Sequence, residues 1–412
     1  MIEYWYNGYT MTDNLSELSL QRYPEQESFR PLSFILVGSG QVVDKYWMPA
    51  QNDGLVKIAA IVSLEEKAAF VRRYPDFTGD FCTLSQDENN EQLIQTIAKL
   101  SHDHPDAQIA LVIPAGDRLA VTQALLEHHL LNPTTTLFLE KPYARTSEEI
   151  AAFSALLDQF GDQLHFSGKY ATGRADILYP QLPQGRVPRS IEATLLEGEQ
   201  YYRVVTDRIA RTGSHPYLDD GPELDLGFHL LDIITTAAQR FGGIKYILID
   251  SATDLSQVRE DFEPSFGFTA ALTLITNSDE EVPVTLSAGK YTGDNDRRIS
   301  FVYDDKTIQQ QYTVGSAIDP VTEICHVGER EISKKQLAQH AAGYRYYASE
   351  LSQNQFCHQD HLQQQLSLLC GELAIQIKQQ RMAQSRLWYA TPHEARDCGV
   401  AHQSQEVAFV PA

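Results

Sequence analysis

Three short clusters hold the residues whose types and spacing could do chemistry. Leu137-Phe138-Leu139-Glu140-Lys141-Pro142 ends an apolar run with a cation followed at once by a proline. A parallel strand buried on both faces reads as such a run, and the ligand crevice of an open α/β sheet lies beyond the carboxyl ends of its strands. Lys141 is thereby delivered where a substrate would sit. Pro142 has no N–H to extend a ladder and biases Lys141 towards an extended backbone, so the strand should stop there. The plainer alternative is a lysine that closes an ordinary strand.

In the second cluster, Gly221-Pro222-Glu223-Leu224-Asp225-Leu226-Gly227-Phe228-His229-Leu230-Leu231-Asp232, Asp225 and His229 stand four apart, on one face if the segment is helical. A histidine titrates near neutral pH and can exchange a proton with an alcohol. A neighbouring carboxylate can orient its ring and stabilise its cation. A structural His–Asp pair is the alternative. The third cluster, Val37-Gly38-Ser39-Gly40-Gln41-Val42-Val43, reads as strand, Gly-x-Gly and helix. One glycine makes the tight turn, a second admits a pyrophosphate, and the helix amino terminus supplies N–H groups and a positive dipole. Val43 stands at the third small position of that fingerprint and should push helix and strand slightly apart.

An acidic residue at the end of the second strand would bind the ribose 2′-hydroxyl of NAD. In Ile58-Ala59-Ala60-Ile61-Val62-Ser63 that place falls to Ser63, whose small hydroxyl leaves room for a 2′-phosphate. Lys67, Arg72 and Arg73 follow, where one could pair with the phosphate or all could form a solvated basic face. The expectation is NADP(H) over NAD(H). A further cluster, Gly168-Lys169-Tyr170-Ala171-Thr172-Gly173-Arg174, follows the last strand of this region. Lys169, Tyr170 and Arg174 could bind substrate hydroxyls, a carboxylate or a phosphate, or could mark a surface domain junction.

The elements that must position these clusters change character along the chain. Strands at Leu32–Val37, Lys57–Val62, Ile109–Ile113, Thr135–Glu140 and Leu164–Gly168 alternate with helices at Leu64–Tyr74, Asn90–Leu100, Arg118–Leu131 and Ser147–Phe160. That alternation predicts a doubly wound parallel sheet. Thr146 with Glu149 has capping-box spacing for the last of these helices. Beyond about residue 170 come consecutive β-favouring stretches at Arg189–Glu197, Lys245–Ser251, Gly267–Thr276, Val282–Lys290, Arg297–Tyr303 and Thr307–Thr313, with one helix at Pro222–Phe241. They predict an α+β domain with a large, mostly antiparallel open sheet, and Lys334–Ser385 reads as helical. The expected division is an extension at 1–30, a dinucleotide-binding domain of Rossmann type at 31–168, a substrate and oligomerisation domain at 169–385 and a tail at 386–412. An exposed face of the second sheet points to a homodimer or homotetramer.

Of 412 residues, 42% are hydrophobic and 21% charged, as in globular proteins. A net charge of -22 argues against non-specific binding to nucleic acid or an anionic membrane surface, since both need a basic face. No apolar run approaches the length of a membrane span, and the first thirty residues lack the pattern of a secretion signal. Five scattered cysteines without Cys-x-x-Cys spacing fit free thiols, and a cytoplasmic location is expected. No Cys or His spacing forms a metal site.

Taken in order, Gly38-Ser39-Gly40, Ile113-Pro114, Glu140-Lys141-Pro142 and Asp225-x-Gly227-x-His229-x-x-Asp232 resemble the glucose–fructose oxidoreductase / inositol dehydrogenase / MocA (Gfo/Idh/MocA) family over roughly residues 32–380. Departures are Val43, the lack of a histidine shortly after Pro114, and the long amino-terminal extension. The resemblance implies an NAD(P)-dependent dehydrogenase or reductase moving a hydride between nicotinamide and a secondary alcohol or ketone of a sugar, cyclitol or nucleotide-linked sugar. It implies that Lys141 lies between nicotinamide and substrate, that His229 is the acid/base and that Asp225 supports it. Together, these readings expect Gly38, Ser39, Gly40, Gln41, Val42, Ser63, Lys67, Pro114, Glu140 and Lys141 to line the nucleotide, with Lys169, Tyr170, Arg174, Asp225 and His229 on the substrate side. The rival from another class is a nucleotide-sensing regulatory protein of the same architecture. A further alternative is an enzyme that keeps its nucleotide bound and recycles it between two substrates.

Overall fold

The computed structural model describes residues 31–40, 42–52, 54, 56–85, 91–167, 177–212, 215–313, 321–337, 361–389 and 405–408. Four of the expected site residues, Gln41, Lys169, Tyr170 and Arg174, lie outside them, as do the extension at 1–30 and most of the tail. The described residues form two compact units, one within Leu20–Gly173 and Ala338–Leu368, the other within Arg174–Leu337 and Leu369–Ala412.

In the first unit, strands β1 (Leu32–Val37), β2 (Val56–Ser63), β3 (Asp80–Thr83), β4 (Ala107–Leu111), β5 (Leu137–Leu139) and β6 (Leu164–Phe166) form one sheet in the order β3-β2-β1-β4-β5-β6. Every pairing is parallel. The order reverses between β1 and β4, so the crevice outside their carboxyl ends is the place such a sheet offers a ligand. Helices α1 (Met48–Asn52), α2 (Lys67–Arg73), α3 (Glu91–Asp103), α4 (Ala115–Glu127) and α5 (Ser147–Phe160) alternate with the strands. The sequence pattern did not reveal β3, whose four residues are too few to show a period. At the start of α5 the Thr146 hydroxyl accepts from Glu149 N at 3.3 Å, while the Glu149 carboxylate takes the N–H of Arg145. Half of the expected capping box is therefore made.

The segment after β1 begins as a π turn, Val43–Trp47, before α1. Val43 is fully buried in a core with Phe34, Leu36, Trp47, Ile61, Phe70 and Phe138. Trp47 meets Phe34 and Phe138 edge-on, with ring centres 4.9 and 6.1 Å away. The valine is thus absorbed as core. At the far edge of the sheet, the buried Gln364 accepts the N–H of Phe166 at 2.5 Å, which satisfies a donor that an edge strand would leave open.

The second unit holds the nine-stranded sheet β14-β13-β12-β11-β7-β10-β9-β8-β15. Its strands are β7 (Ser190–Glu197), β8 (Ile244–Asp254), β9 (Gly267–Thr276), β10 (Glu281–Lys290), β11 (Asp296–Val302), β12 (Thr307–Thr313), β13 (Val321–Val327), β14 (Arg330–Leu337) and β15 (Gln405–Ala408). All neighbours are antiparallel except β7 and β10. The expected fold class, a doubly wound parallel sheet followed by an α+β part with a mostly antiparallel sheet, is the one observed.

Two local expectations fail. Lys334–Leu337 belongs to β14 and not to a helix, because the turn at Gly328 returns the chain to pair with β13, and lysines suit an edge strand. Helix runs from His361 to Tyr389. Pro222–Phe241 is likewise no single helix. A short helix Pro216–Pro222 breaks at Gly221, a π turn spans Glu223–Gly227, and the α-helix Phe228–Ala238 follows.

Candidate functional site

The candidate nucleotide site lies at the carboxyl ends of β1, β2, β4 and β5. Gly38 has φ of 114°, and a Cβ there would lie 2.8 Å from the Val112 carbonyl oxygen. Only glycine fits, since both its backbone conformation and the approach of the β4 segment exclude a side chain. Nothing lies within 4 Å of where a Gly40 Cβ would stand. A turn with one glycine forced by geometry and another facing open space, ahead of a helix amino terminus, can seat a pyrophosphate. Pro114 stands at the amino cap of α4, at the carboxyl end of β4.

Beyond β2 the hydroxyls are already committed. Glu65 N donates to Ser63 Oγ at 3.0 Å, the Ser63 and Ser39 hydroxyls are 2.6 Å apart, and Ser39 Oγ donates to Glu65 Oε2 at 2.8 Å. With one hydrogen on each hydroxyl, Ser63 must donate to Ser39, which closes a ring from Glu65 back to Glu65. The Ser63 hydroxyl is thus engaged by its neighbours. Glu65, two residues on, fills the corner. Arg73 grips it with two hydrogen bonds, of 2.6 and 2.9 Å, and lies 3.5 Å from Asp44. Tyr74 donates to Asp44 at 2.8 Å, and its phenol is pushed up to about 12, by burial first and then by that carboxylate.

Of the three expected cations, Arg73 is the one that binds Glu65. Arg72 Nε donates to the Ala68 carbonyl of its own helix. Lys67 opens α2 with its N–H on Thr83 Oγ1, and its charge is felt at the Cys82 thiol on β3.

Lys141 follows β5, which ends at Leu139, one residue earlier than the apolar run suggested. Its peptide bond to Pro142 is cis, and its side chain is half-buried. The residue that holds this loop is Arg118 on α4. Buried at 5% exposure, it donates Nε to the Ile113 carbonyl at 2.8 Å and Nη1 to the carbonyls of Glu140 and Pro142. One guanidinium therefore ties the segments after β4 and β5 together. Nothing in the sequence singled it out, because carbonyl acceptors leave no mark in the pattern of side chains. Tyr143 continues the anchoring by donating to the Ser167 carbonyl and packing edge-on against Phe166.

In the second unit, His229 is buried in the first turn of its helix, with its ring edge to that of Phe228. Gly227 is required before it, since a Cβ would meet the Phe268 ring at 2.7 Å. Asp225 sits in the π turn, where Lys290 Nζ donates to it at 2.7 Å. The same ammonium is 3.2 Å from Glu197 and 3.9 Å from the centre of the Tyr217 ring. Glu197 in turn takes Arg297 at 2.8 Å, and Arg297 stacks over Tyr201. Burial alone would lower the Lys290 pKa, yet Asp225 and Glu197 outweigh it and raise it, so the cation is kept.

Sequence reasoning missed Lys290, Glu197 and Arg297, although a signal was present. In β10 the buried positions Val282, Val284, Leu286 and Ala288 alternate into Lys290; in β7, Ile191, Ala193 and Leu195 alternate into Glu197. In β11, Arg297 shares the phase of buried Ile299 and Phe301. A charge in the buried phase of a strand marks an interior ion pair, and Lys290 and Glu197 are direct register partners.

Each unit thus offers a candidate site: the crevice at the switch point of a parallel sheet, and a buried charged cluster on an antiparallel one. No protein-family model matches the chain, and no curated protein is similar to it in sequence. Solved structures share its architecture. The 3-ketoreductase KijD10 from Actinomadura kijaniata, in complex with NADP and TDP-benzene, superposes with a TM-score of 0.55 at 15% identity, over 85% of this chain and 98% of that one. UDP-N-acetylglucosamine 3-dehydrogenase GnnA from Acidithiobacillus ferrooxidans gives 0.55 at 14% identity, over 86% and 98%. At such identities the likeness shows the fold. No helix among the described residues is long and apolar enough to cross a membrane, and no group of His, Cys, Asp or Glu among them could hold a metal ion.

Proposed function

We propose that this chain is an NADP(H)-dependent oxidoreductase of the Gfo/Idh/MocA type that interconverts a secondary alcohol and a ketone on a sugar, with a nucleotide-linked sugar as the first substrate class to test. The observation that carries it is the single parallel sheet whose carboxyl edge presents a forced-glycine turn after β1 and a lysine loop pinned by a buried arginine after β5. The fold shared with a ketoreductase and a dehydrogenase of sugars supports the same reaction class. Gly38, Ser39, Gly40 and Pro114 would hold the nucleotide, which when bound supplies or accepts a hydride at its nicotinamide.

The protein's own part is charge and proton placement. Lys141 stabilises negative charge developing on the substrate oxygen, or polarises the ketone in the reductive direction. His229 moves the hydroxyl proton, and Asp225, held by Lys290, supports it. Arg118 fixes the Lys141 loop through the carbonyl groups of Glu140 and Pro142.

The test is a panel of UDP- and TDP-sugars, free sugars and cyclitols, followed by the change in NADPH fluorescence. Turnover with a nucleotide-linked sugar is expected, falling about 10²–10⁴-fold in Lys141→Ala and in His229→Ala, the usual worth of a positioned acid or base. A chain that binds the nucleotide yet neither reduces NADP+ with any of the alcohols nor oxidises NADPH with any ketosugar would be a sensor instead.

A further inference from the structure

We propose that Glu65 and Arg73 form a specificity lock at the ribose 2′ position, in which Glu65 holds back the preference for NADP(H) and lets NAD(H) bind. The inference rests on the nucleotide reading above and deepens it. Dinucleotide sites of this type tell the two cofactors apart with an acid that receives the 2′-hydroxyl or an arginine that receives the 2′-phosphate. Here both are present and they hold one another.

The Glu65 carboxylate is anchored on one side by the Ser39 hydroxyl of the glycine turn and on the other by both arms of Arg73. Asp44, at 3.5 Å, gives Arg73 a second carboxylate. Two carboxylates thus share one guanidinium. An incoming 2′-phosphate must therefore compete with carboxylates that Arg73 already holds. A 2′-hydroxyl meets no such obstacle, because a carboxylate has lone pairs to spare after three hydrogen bonds.

The lock is nonetheless one that can open. Side-chain exposures of 42% for Arg73 and 20% for Glu65 place the pair at the surface, where an ion pair is a weak tie. A doubly charged phosphate offers Arg73 a stronger bidentate partner than the carboxylate it leaves. The Ser39–Ser63–Glu65 ring keeps Glu65 in place while Arg73 moves. Both nucleotides can therefore be bound, and the discrimination depends on how firmly Glu65 retains Arg73.

The experiment measures binding of NADPH and NADH by fluorescence, and of adenosine 2′,5′-bisphosphate and AMP by calorimetry, to the full chain and to Glu65→Gln and Arg73→Gln. The latter two probes differ only in the 2′-phosphate. Glu65→Gln is expected to tighten NADPH and the bisphosphate about tenfold while NADH and AMP hold or weaken severalfold. Arg73→Gln should loosen NADPH and the bisphosphate about tenfold and leave AMP unmoved. Equal shifts in both members of each pair, or none, would overturn the lock while leaving the nucleotide site standing. If the unaltered chain binds neither NADPH nor NADH, the nucleotide reading falls and takes the lock with it.

Discussion

The ion pairs of the two units use the same residue types at similar distances and are built for opposite ends. At the nucleotide corner, Arg73, Glu65 and Asp44 keep 42%, 20% and 36% of their side chains exposed. In the second unit, Arg381 on the long helix joins Glu223 of the π turn and Asp254 of β8 with exposures of 5%, 0% and 6%. Asp254 is further satisfied by Ser256 and by the N–H of Ser265. The exposed group can exchange partners. The buried one cannot, since either partner left alone would be an unpaired charge in the interior. A surface pair can thus give way to another anion, whereas a buried network keeps its part of the fold rigid.

The sharpest way to break this comparison is at Arg381. Arg381→Met leaves Glu223 and Asp254 buried without their cation and should destabilise the protein by about 3–5 kcal/mol, read from urea unfolding. A loss below ~1 kcal/mol would show that the network is wetter than its burial implies.

Lys290 comes next. Its buried ammonium serves Asp225 and Glu197 at once, but Asp225 keeps 35% of its side chain exposed and can be rehydrated. Lys290→Met should cost roughly 2 kcal/mol. If Lys290 acts on turnover through Asp225, the double variant with Asp225→Asn is no slower than Asp225→Asn alone, and independent losses would separate the two residues.

Alkaline titration touches both regions. The folded pKa of Tyr74 is about 12 against an ordinary 10.0, with burial the main cause; Tyr303 in the second unit is also raised to about 12 by burial. A raised tyrosine keeps its proton in the folded state after the unfolded chain has lost it. Stability is therefore intact below pH 10 and falls between pH 10 and about 12. Lys290 acts in the same direction, its raised pKa favouring the fold only while it stays protonated. In Tyr303→Phe the alkaline loss should be smaller, and an unchanged pH curve would remove Tyr303 from the account.

The smallest effect is expected at the corner itself. Glu65→Gln should change unfolding free energy by less than about 1 kcal/mol, as exposed pairs do, while altering nucleotide preference. A large stability loss there would make Glu65 part of the frame.

Legibility in the sequence followed the range of the forces involved. The limits of α5, β9 and β12 agree with those expected from pattern alone, because period and turn residues are local. The helix Glu199–Thr212 escaped notice, since Val204, Val205 and Thr206 in its middle and the Tyr201–Tyr202 pair favour strand locally. The glycine turn and the lysine loop could be read because each is a contiguous motif. Glu65 could not: the place expected to hold the acid was Ser63, and the ring of hydroxyls that brings Glu65 to the turn joins residues 24 and 26 apart.

The sequence by itself determined the two-part architecture, the glycine turn after β1 and the lysine at the end of β5, since period, turn chemistry and the missing N–H of proline act over a few residues. Tertiary structure alone decided which charges meet. Arg118 reaches backbone carbonyls 22 and 24 residues away, Lys290 finds Asp225 across 65 residues, and Arg381 finds Glu223 across 158. Such partners are chosen by burial, which makes an unpaired charge too costly to leave inside, and burial is a property of the folded whole.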